Sequence, residues 1–287
     1  MKLAALTIVR GRQRHLQNQA RGWSMSIRKP DCWVIVGMDE DVHPPEPVDS
    51  IEIITDRVDG TGDSLPLAEA RNHAAQLSPC NAMVFLDVDC IPSPTMLTEF
   101  ESAVGQPDHL WMGSPRYLPQ NKTAGDWTMN DLAQSAIPHP IQPVIDIGQR
   151  QTSTEYEKFW SLCFAVTKQT FGKIGGFNEG FAGYGAEDTD FAFAARDAGV
   201  PFGFAGAIAY HQHHAVCKPP LNHFDAIVRN AEQFRRRWKT WPMESWLNAF
   251  AEGGFIKFAR ESESIEVLAR PTRQQIEAAT VCTPAGF

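Results

Sequence analysis

The 287-residue sequence contains no long hydrophobic run. Its first apolar stretch, residues 3–9, is followed by an arginine and shows no small-residue cleavage pattern, so a secretory signal peptide is not expected. No run approaches the roughly 18 apolar residues that a membrane span needs. We therefore expect no transmembrane segment, although peripheral contact with a membrane stays open.

Several metal and phosphate motifs are also missing. The six cysteines are scattered without any Cys-x-x-Cys pair, which excludes a zinc knuckle and indicates reduced thiols. The sequence has no His-Glu-x-x-His motif, and this argues against a zinc hydrolase. A glycine-rich loop with a lysine, typical of nucleotidyltransferases, does not follow the first apolar run. The cysteines lead us to expect a cytoplasmic protein.

Acidic residues are absent from the first 30 positions, which hold seven Lys or Arg. The whole chain has a net charge of −8, so nucleic acid and anionic membranes are not the expected partners. The basic N-terminal stretch would suit an anionic ligand, or it is simply a solvated surface. Charge alone does not decide between these two interpretations.

Apolar runs alternate with helical periodicities through the first 90 residues. The predicted strands and helices here are 3–9, 16–27 (helix), 32–37, 51–54, 66–77 (helix) and 82–86. Such alternation predicts an α/β fold with a mostly parallel sheet and ligands at the carboxyl ends of its strands. A composition with 43% hydrophobic and 21% charged residues fits an ordinary globular protein of this class.

The second half is less regular. Further elements are predicted as a helix after Pro94, strands at 110–113, 160–167 and 202–210, and helices at 168–174 and 186–198. Residues 115–157 contain five prolines and no sustained period, so we expect a functional loop or lid there. Helical spacing returns after residue 219. We predict a main domain over 1–215 and a helical extension over 216–287 that packs on it.

Three acidic or histidine-containing motifs follow predicted elements. Asp87-Val-Asp89 comes where a buried strand ends, and alternate strand residues share a face, so both carboxylates are candidate ligands of one divalent cation. An Asp-rich turn is the simpler explanation. Tyr210-His-Gln-His-His214 ends a later strand, and we take His211 as a third metal ligand, with His213 and His214 left as alternatives.

Glu187-Asp-Thr-Asp190 follows a glycine-rich stretch, 180–185, and opens a predicted helix. A helix start favours ionised carboxylates, so these residues are either helix caps or a catalytic acidic group. The three glycines allow a backbone to approach a ligand closely, which favours the second interpretation.

Taken in order and spacing, Asp87-Val-Asp89, the stretch 175–190 and Tyr210-His211 resemble nucleotide-sugar glycosyltransferases of the GT-A fold. In particular, the chain resembles family-2-type enzymes whose second half is similar to the C-terminal part of animal β-1,4-galactosyltransferases and the bacterial chondroitin polymerase. The resemblance covers roughly residues 3–215. It implies a Rossmann-like, mostly parallel sheet with flanking helices.

The resemblance also implies a donor site for a UDP-sugar. Arg10-Gly-Arg-Gln-Arg-His-Leu16 is similar to an Arg-Asn-Arg-Gln-Glu-His-Leu stretch of the galactosyltransferases. On that basis, Val9, Arg10 and Arg12 would hold the nucleotide. Other parts of the resemblance add Asp39 after the second strand, Arg71 in Ala70-Arg71-Asn72 and Asp87 of the Asp-Val-Asp motif. Guanidinium forks suit a diphosphate, and Asp39 matches an acid that contacts uracil.

The implied reaction is a single displacement that inverts the anomeric carbon. Mn²⁺ or Mg²⁺ held by Asp89 and His211, with Asp87 as a further ligand or on the ribose, would neutralise the departing diphosphate. Asp188 would accept the proton of the acceptor hydroxyl, and Glu187 would position hydroxyl groups.

The acceptor side is the least similar part. Tyr184, Gly185 and Asp190 would contact the acceptor, but Tyr184 and Ala186 stand where the galactosyltransferases have Trp and Gly, and Thr189 replaces an Asp. The sequence therefore leaves the acceptor open within saccharides and glycoconjugates, and the sugar open within hexoses and N-acetylhexosamines. A catalytically inactive binding module and a nucleotidyltransferase with a similar sheet remain the alternatives.

We predict that replacing Arg10 and Arg12 together by Ala weakens UDP binding, because two guanidinium groups are lost from the diphosphate site. The melting temperature without ligand should stay nearly constant, since exposed substitutions usually change stability by within about 0.5 kcal/mol. Titration with UDP and thermal denaturation test this. Unchanged UDP affinity would show that the two arginines are only a solvated surface.

Overall fold

A computed structural model describes residues 1–46, 48–60, 64–105 and 108–281 of the chain. Cys282, one of the six cysteines, lies outside the described residues. Among the described helices, none is long and apolar enough to cross a membrane.

Ten strands form one central sheet, in the order β3-β2-β1-β4-β9-β6-β10-β5, with β7 paired to β6 and β8 to β10. They are β1 Leu3–Val9, β2 Cys32–Met38, β3 Glu52–Val58, β4 Ala82–Leu86, β5 Cys90–Pro92, β6 Leu110–Tyr117, β7 Ile137–Pro138, β8 Arg150–Ser153, β9 Cys163–Thr167 and β10 Phe202–His211. Strands β1, β2, β3, β4, β6 and β10 point in one direction. The predicted α/β class and mostly parallel sheet are confirmed.

Helices lie on both faces of this sheet. They are α1 Gln13–Ser24, α2 Leu67–Leu77, α3 Met96–Val104, α4 Met129–Ser135, α5 Lys168–Ile174, α6 Glu187–Asp197, α7 Phe224–Trp238, α8 Glu244–Glu252 and α9 Arg273–Ala279. The short strands β11 Val216–Cys217, β12 Ile256–Lys257, β13 Glu266–Val267 and β14 Thr280–Val281 pair outside the main sheet, β11 with β14 and β12 with β13.

Strand β1 shows how the two apolar layers are built. Side chains alternate between the faces of a strand, so Leu3 and Ala5 belong to the cluster under α1 and α3, while Ala4 and Leu6 belong to the cluster under α2 and α6. All seven residues of β1 are buried. A strand covered on both faces reads as an unbroken apolar run, which is the pattern of residues 3–9.

Residues 115–157 are more regular than the sequence suggests. Strand β6 extends to Tyr117, and α4 and two short strands follow, so the expectation of a long unstructured loop is wrong in part. Helix α4 has a capping box, in which Thr128 Oγ1 accepts from the Asp131 N–H and Asp131 accepts from the Thr128 N–H. Only Leu132 of this helix is buried. Hydrophobic periodicity therefore could not reveal it, whereas the Thr-x-x-Asp spacing could.

The segment after residue 215 has an apolar cluster of its own around α7 and α8. It also contacts the glycine-rich stretch, because Asn230 Nδ2 donates to the carbonyl oxygens of Ala182 (3.2 Å) and Gly185 (2.9 Å). Phe234 of α7 joins Phe181 and Phe193 in a second apolar contact with the rest of the chain. The division of the chain at residue 215 stays a prediction.

A buried polar network holds the turn after β4. Gln19 is 0% exposed on α1, and its Nε2 donates to the carbonyl oxygens of Asp87 (2.9 Å) and Cys90 (2.8 Å). Its Oε1 accepts from Thr7 Oγ1 at 2.9 Å, and that hydroxyl in turn accepts from Trp33 Nε1 at 3.0 Å. The turn that carries Asp87 and Asp89 is thus fixed from beneath by a side chain of α1.

Replacing Gln19 by Leu should lower the free energy of unfolding by about 1–3 kcal/mol, because the substitution leaves buried carbonyl and hydroxyl groups without hydrogen bonds. Urea denaturation measures the change. Gln17→Leu is the matched control, since Gln17 lies on the same helix but is only partly buried. Equal stabilities of the two variants would contradict the bracing role of Gln19.

Candidate functional site

The site lies where β4 and β10 end. Asp87 and Asp89 follow β4, and His211 is the last residue of β10. Edge strand β5 pairs with β10 and places His211 opposite Cys90, the residue after Asp89. The Gln212 N–H donates to the Asp89 carbonyl oxygen at 2.6 Å. This pairing brings together two motifs that are 122 residues apart, from 89 to 211.

Asp89, His211 and His214 form a group whose candidate ligand atoms all lie within 4.8 Å of one another. His213 and Asp87 are not part of this group. The Nδ1 atom of His211 is buried and has no hydrogen-bond partner among the described residues. An unpartnered imidazole nitrogen beside a carboxylate fits a divalent cation, and it is the structural reason to consider one here.

The charge states in this group suit metal binding. Burial lowers the pKa of His211 to about 4, so its imidazole is neutral at pH 7. Burial opposes ionisation of Asp89, but the hydrogen bond from His15 and the charge of Arg12 outweigh it and hold the pKa of that carboxyl at about 2. A neutral imidazole and an ionised carboxylate are the forms that ligate metals.

His15 is a member of the site that the sequence analysis missed. Its Nδ1 lies 2.6 Å from Asp89 Oδ1, and the Arg12 Nη1 atom lies 3.1 Å from the same oxygen. Both residues stand at the start of α1, three positions apart, so they share one face of the first turn. That spacing within the Arg10–Leu16 stretch was the available signal.

Arg71 joins the two acidic motifs. Its side chain is 5% exposed, and its two terminal nitrogens lie 3.4 Å from Asp87 Oδ1 and 3.4 Å from Glu187 Oε1. The guanidinium also lies over the ring of Phe177, 5.3 Å from its centroid. The structure therefore pairs Arg71 with carboxylates of both acidic motifs, and the contacts of Arg71 and Asp87 with a nucleotide or metal stay predictions.

Glu187 and Asp188 open helix α6, as predicted. Burial, followed by the charge of Asp188, raises the pKa of Glu187, and the Arg71 charge opposes this. Burial likewise raises the pKa of Asp188 against the Arg71 charge. Asp188 Oδ1 accepts from the Thr189 N–H at 2.7 Å. Two carboxylates beside one guanidinium make a group that is suited to exchange protons near neutral pH.

Of the three expected acceptor residues, two lie beside this group. Glu187 Oε2 accepts from the Gly185 N–H at 3.1 Å, and Tyr184 is 38% exposed next to it. Asp190 points elsewhere: its side chain is 1% exposed, pairs with Arg237 at 2.8 Å and accepts from Trp238 Nε1 at 2.7 Å. The structure thus shows Asp190 holding α6 to α7, and a contact of Asp190 with the acceptor stays a prediction.

Three of the expected nucleotide residues, Val9, Arg10 and Asp39, lie at the ends of β1 and β2. Val9 is buried as the last residue of β1. Arg10 is half exposed, and its Nη1 lies 3.1 Å from Asp39 Oδ2. Asp39 has a φ of 57°, and its Oδ1 accepts from the Gly60 N–H at 2.7 Å. Arg10, Arg12 and Asp39 therefore occur at one edge of the sheet, as the sequence predicts.

Comparison with known proteins gives matches in sequence and in structure. A family model described as the N-terminal domain of galactosyltransferase matches residues 143–214, which is less than half of the chain. Our sequence analysis found a likeness to the C-terminal part of such enzymes, and both findings concern the stretch that carries Glu187, Asp188 and His211. No curated protein matches the chain by sequence.

Solved structures with the same fold include the 1–349 segment of TarS from S. aureus, with a TM-score of 0.52, 11% identity and 82% coverage of this chain. GalNAc-T7, solved with UDP, GalNAc and Mn²⁺, gives a TM-score of 0.52, 11% identity and 88% coverage. The chain spans 66% of the first structure and 54% of the second. These are GT-A proteins.

The chain has the GT-A glycosyltransferase fold. These findings confirm the resemblance to the GT-A fold that was inferred from the sequence.

One departure from the galactosyltransferase pattern falls at a strained backbone position. Ala186, where those enzymes have Gly, adopts a left-handed conformation with a φ of 69° immediately before α6. A residue with a Cβ is strained there, whereas glycine is not. The backbone immediately before α6 therefore has a conformation that glycine favours, although residue 186 is alanine in this chain.

The metal group predicts a specific loss on mutation. Asp89→Asn should abolish the thermal shift produced by Mn²⁺ with UDP, because an amide cannot replace a charged oxygen ligand of a hard cation. His211→Ala and His214→Ala should each weaken the shift. His213→Ala is the matched control, since His213 lies outside the group. A normal metal-dependent shift in Asp89→Asn would contradict the site.

Proposed function

We propose that the protein is a metal-dependent, inverting glycosyltransferase that moves a hexose or N-acetylhexosamine from a UDP-sugar to an acceptor hydroxyl. The observation that carries this proposal is the placement of the Asp89, His211 and His214 group beside the Asp87, Arg71 and Glu187 group. One group suits a cation, and the other contains acids of raised pKa. A metal-dependent transferase that deprotonates a hydroxyl would use both within one site.

UDP is the nucleotide that we propose for the donor. GalNAc-T7 was solved with UDP, GalNAc and Mn²⁺, and the TarS segment was also solved in complex with UDP. In this chain Arg10 and Arg12 would offer guanidinium groups to the diphosphate. Asp39 lies next to Arg10 and would contact the uracil ring. Arg12 already faces Asp89, so an anion bound there would lie next to the metal group.

Mn²⁺ fits the ligand set better than Mg²⁺ does. Two of the three groups are imidazoles, and Mg²⁺ in proteins is bound almost only by oxygen. When bound, the cation would neutralise the charge of the departing diphosphate. Asp89, His211 and His214 would hold it, while His15 and Arg12 orient the Asp89 carboxylate.

Asp188 is the base in our proposal. The acceptor oxygen forms a bond to the anomeric carbon, the bond from that carbon to the diphosphate oxygen breaks, and the hydroxyl proton passes to Asp188. A single displacement of this kind inverts the anomeric configuration. The raised pKa of Asp188 makes it a better proton acceptor than an exposed Asp. Glu187, fixed by Arg71 and the Gly185 N–H, would position the hydroxyl groups.

The acceptor that we propose is a saccharide or glycoconjugate, contacted by Tyr184 and Gly185. We further propose that residues 1–215 are the catalytic domain and 216–287 an extension of it. A cytoplasmic location also stays a proposal, and it agrees with the five described cysteines, which are all free thiols.

The proposal is tested by separating transfer from binding. Asp188→Asn keeps the shape of the side chain but removes the proton acceptor, so transfer should fall by about 10²- to 10⁴-fold. Binding of UDP-sugar with Mn²⁺ should persist in the thermal shift. Activity is measured as UDP release with a panel of UDP-sugars and saccharide acceptors, and NMR of the product gives its anomeric configuration.

Asp197→Asn is the matched control for this variant, because Asp197 ends the same helix and its side chain is 61% exposed. Transfer by Asp188→Asn at the wild-type rate would show that Asp188 is not the catalytic base and serves only the start of helix α6. A product that keeps the donor's configuration would overturn the single displacement. If no UDP-sugar binds or reacts, the chain is an inactive module.

A further inference from the structure

Past the metal group, the chain runs through a short segment that the C-terminal part of the protein holds in place. Residues 212–215 have no regular structure, and β11 begins two residues after His214. Strand β11 pairs antiparallel with β14. Just past β11, the Lys218 N–H donates to the carbonyl oxygen of Ala279 at 2.8 Å. We call residues 272–281, which contain α9 and β14, the C-terminal clip.

One side of helix α9 fixes the clip to the rest of the protein. Ile276 and Ala279 pack against the apolar cluster around α7 and α8, and so does Cys217 of β11. Cys217 Sγ also lies 3.8 Å from the Ile276 carbonyl oxygen. The helix begins with a capping box, in which Thr272 Oγ1 accepts from the Gln275 N–H and Gln275 Oε1 accepts from the Thr272 N–H. The cap, the apolar side and the strand pairing therefore all hold the clip against β11.

His214 differs from the other two members of the metal group in its support. Asp89 and His211 are held at the main sheet by the pairing of β5 with β10. Before His214 the backbone is anchored at Gln212, which is 0% exposed and donates its N–H to the Asp89 carbonyl oxygen. The Nδ1 atom of His214 lies 3.0 Å from the carbonyl oxygen of the adjacent Ala215, and this local contact does not tie the segment to the sheet. After His214 the backbone is anchored at β11, and thus by the clip.

Strand β11 is too short to keep its conformation by itself. A two-residue strand makes very few hydrogen bonds, and isolated strand pairs are only marginally stable in water even when they are longer. In the part of the chain that the structure describes, β11 pairs with β14 alone. Release of the clip would leave the backbone after His214 free to take many conformations. A cation would then have to order this backbone on binding, and the entropy lost in doing so would lower its affinity.

We propose that the C-terminal clip positions His214 and thereby raises the affinity of the metal group for Mn²⁺. The inference rests on the proposed function and deepens it, because it gives residues 272–281 a role in metal binding. Ile276 and Ala279 do not belong to the metal group, so they are positioning residues and not ligands. Changes to residues that support metal ligands typically cost about 10- to 100-fold in metal affinity.

Mn²⁺ binding to the full chain tests the proposal. Free Mn²⁺ gives an electron paramagnetic resonance signal, so titration in the presence of UDP yields the affinity. Ile276→Ser removes the apolar anchor of the clip and should weaken Mn²⁺ binding by about ten-fold or more. Ile276→Val keeps a branched apolar side chain and should retain most of the affinity. Glu277→Ser is the matched control, because Glu277 is the next residue of α9 and its side chain is 62% exposed.

A double-mutant cycle separates the positioning of His214 from a general loss of stability. In a His214→Ala background the ligand is absent, so Ile276→Ser should change the Mn²⁺ affinity by no more than about two-fold. A loss in this background as large as that in the wild-type background would show that the clip acts on the whole fold, and it would overturn the inference. Melting temperatures show that each variant is folded at the temperature of the titration.

The state of the clip is read from the Cys217 thiol, which contacts the Ile276 carbonyl oxygen. Alkylation of Cys217 by iodoacetamide, located by mass spectrometry, should be faster in Ile276→Ser than in the wild type. Thr280→Pro releases the clip by another route, because a residue before proline disfavours the helical conformation and Ala279 is the last residue of α9. This second variant should show the same two effects, faster alkylation and weaker Mn²⁺ binding.

The outcomes distinguish the inference from the proposed function. Faster alkylation of Cys217 with unchanged Mn²⁺ affinity overturns the inference, since the clip would then be released without an effect on the metal group. Unchanged alkylation in both variants also overturns it, because the clip would then not hold β11. A wild-type protein that binds no Mn²⁺ with UDP refutes the metal site of the proposed function, and the inference with it.

Discussion

The site depends on one buried guanidinium. Arg71 lies between Asp87 and Glu187, and Asp188 is close enough for its charge to act on Arg71 as well. Three carboxylates collected in one place without a cation would repel one another and take up protons. Arg71 offsets that repulsion and links the turn after β4 to the start of α6. The donor side and the proposed base are therefore held in a fixed relation by one residue of α2.

Even with Arg71 present, the three carboxyl groups are not equivalent to exposed acids. Burial raises the pKa of Asp87, Glu187 and Asp188 in spite of the opposing Arg71 charge. Asp89, two residues from Asp87, is shifted in the opposite direction, because His15 and Arg12 contact it directly. One turn thus carries one carboxyl whose pKa is lowered and another whose pKa is raised. The difference comes from the partners of each residue and not from the residue type.

Local patterns were sufficient for a strand that is buried on both faces and for a helix that is buried on one face. Strand β4 and helix α5 have the predicted bounds, because unbroken apolar runs and a helical period are unambiguous there. The metal group was only half predicted: Asp89 and His211 follow strands, but the choice of His214 over His213 depends on the backbone after β10. The stacking of Tyr184 with His223 and Trp246 could not be predicted, since these residues meet only through the docking of the C-terminal segment.

The 122-residue separation of Asp89 and His211 has a consequence for the order in which the protein folds. The two residues become neighbours only when β10 has paired with β6 and with β5, and β6 in turn with β9. Closing such long loops is slow and entropically costly, so contacts of this range form late. A chain that is still being synthesised cannot bring Asp89, His211 and His214 together until residue 214 has emerged. The group is therefore complete only after β5, β6, β9 and β10 have paired.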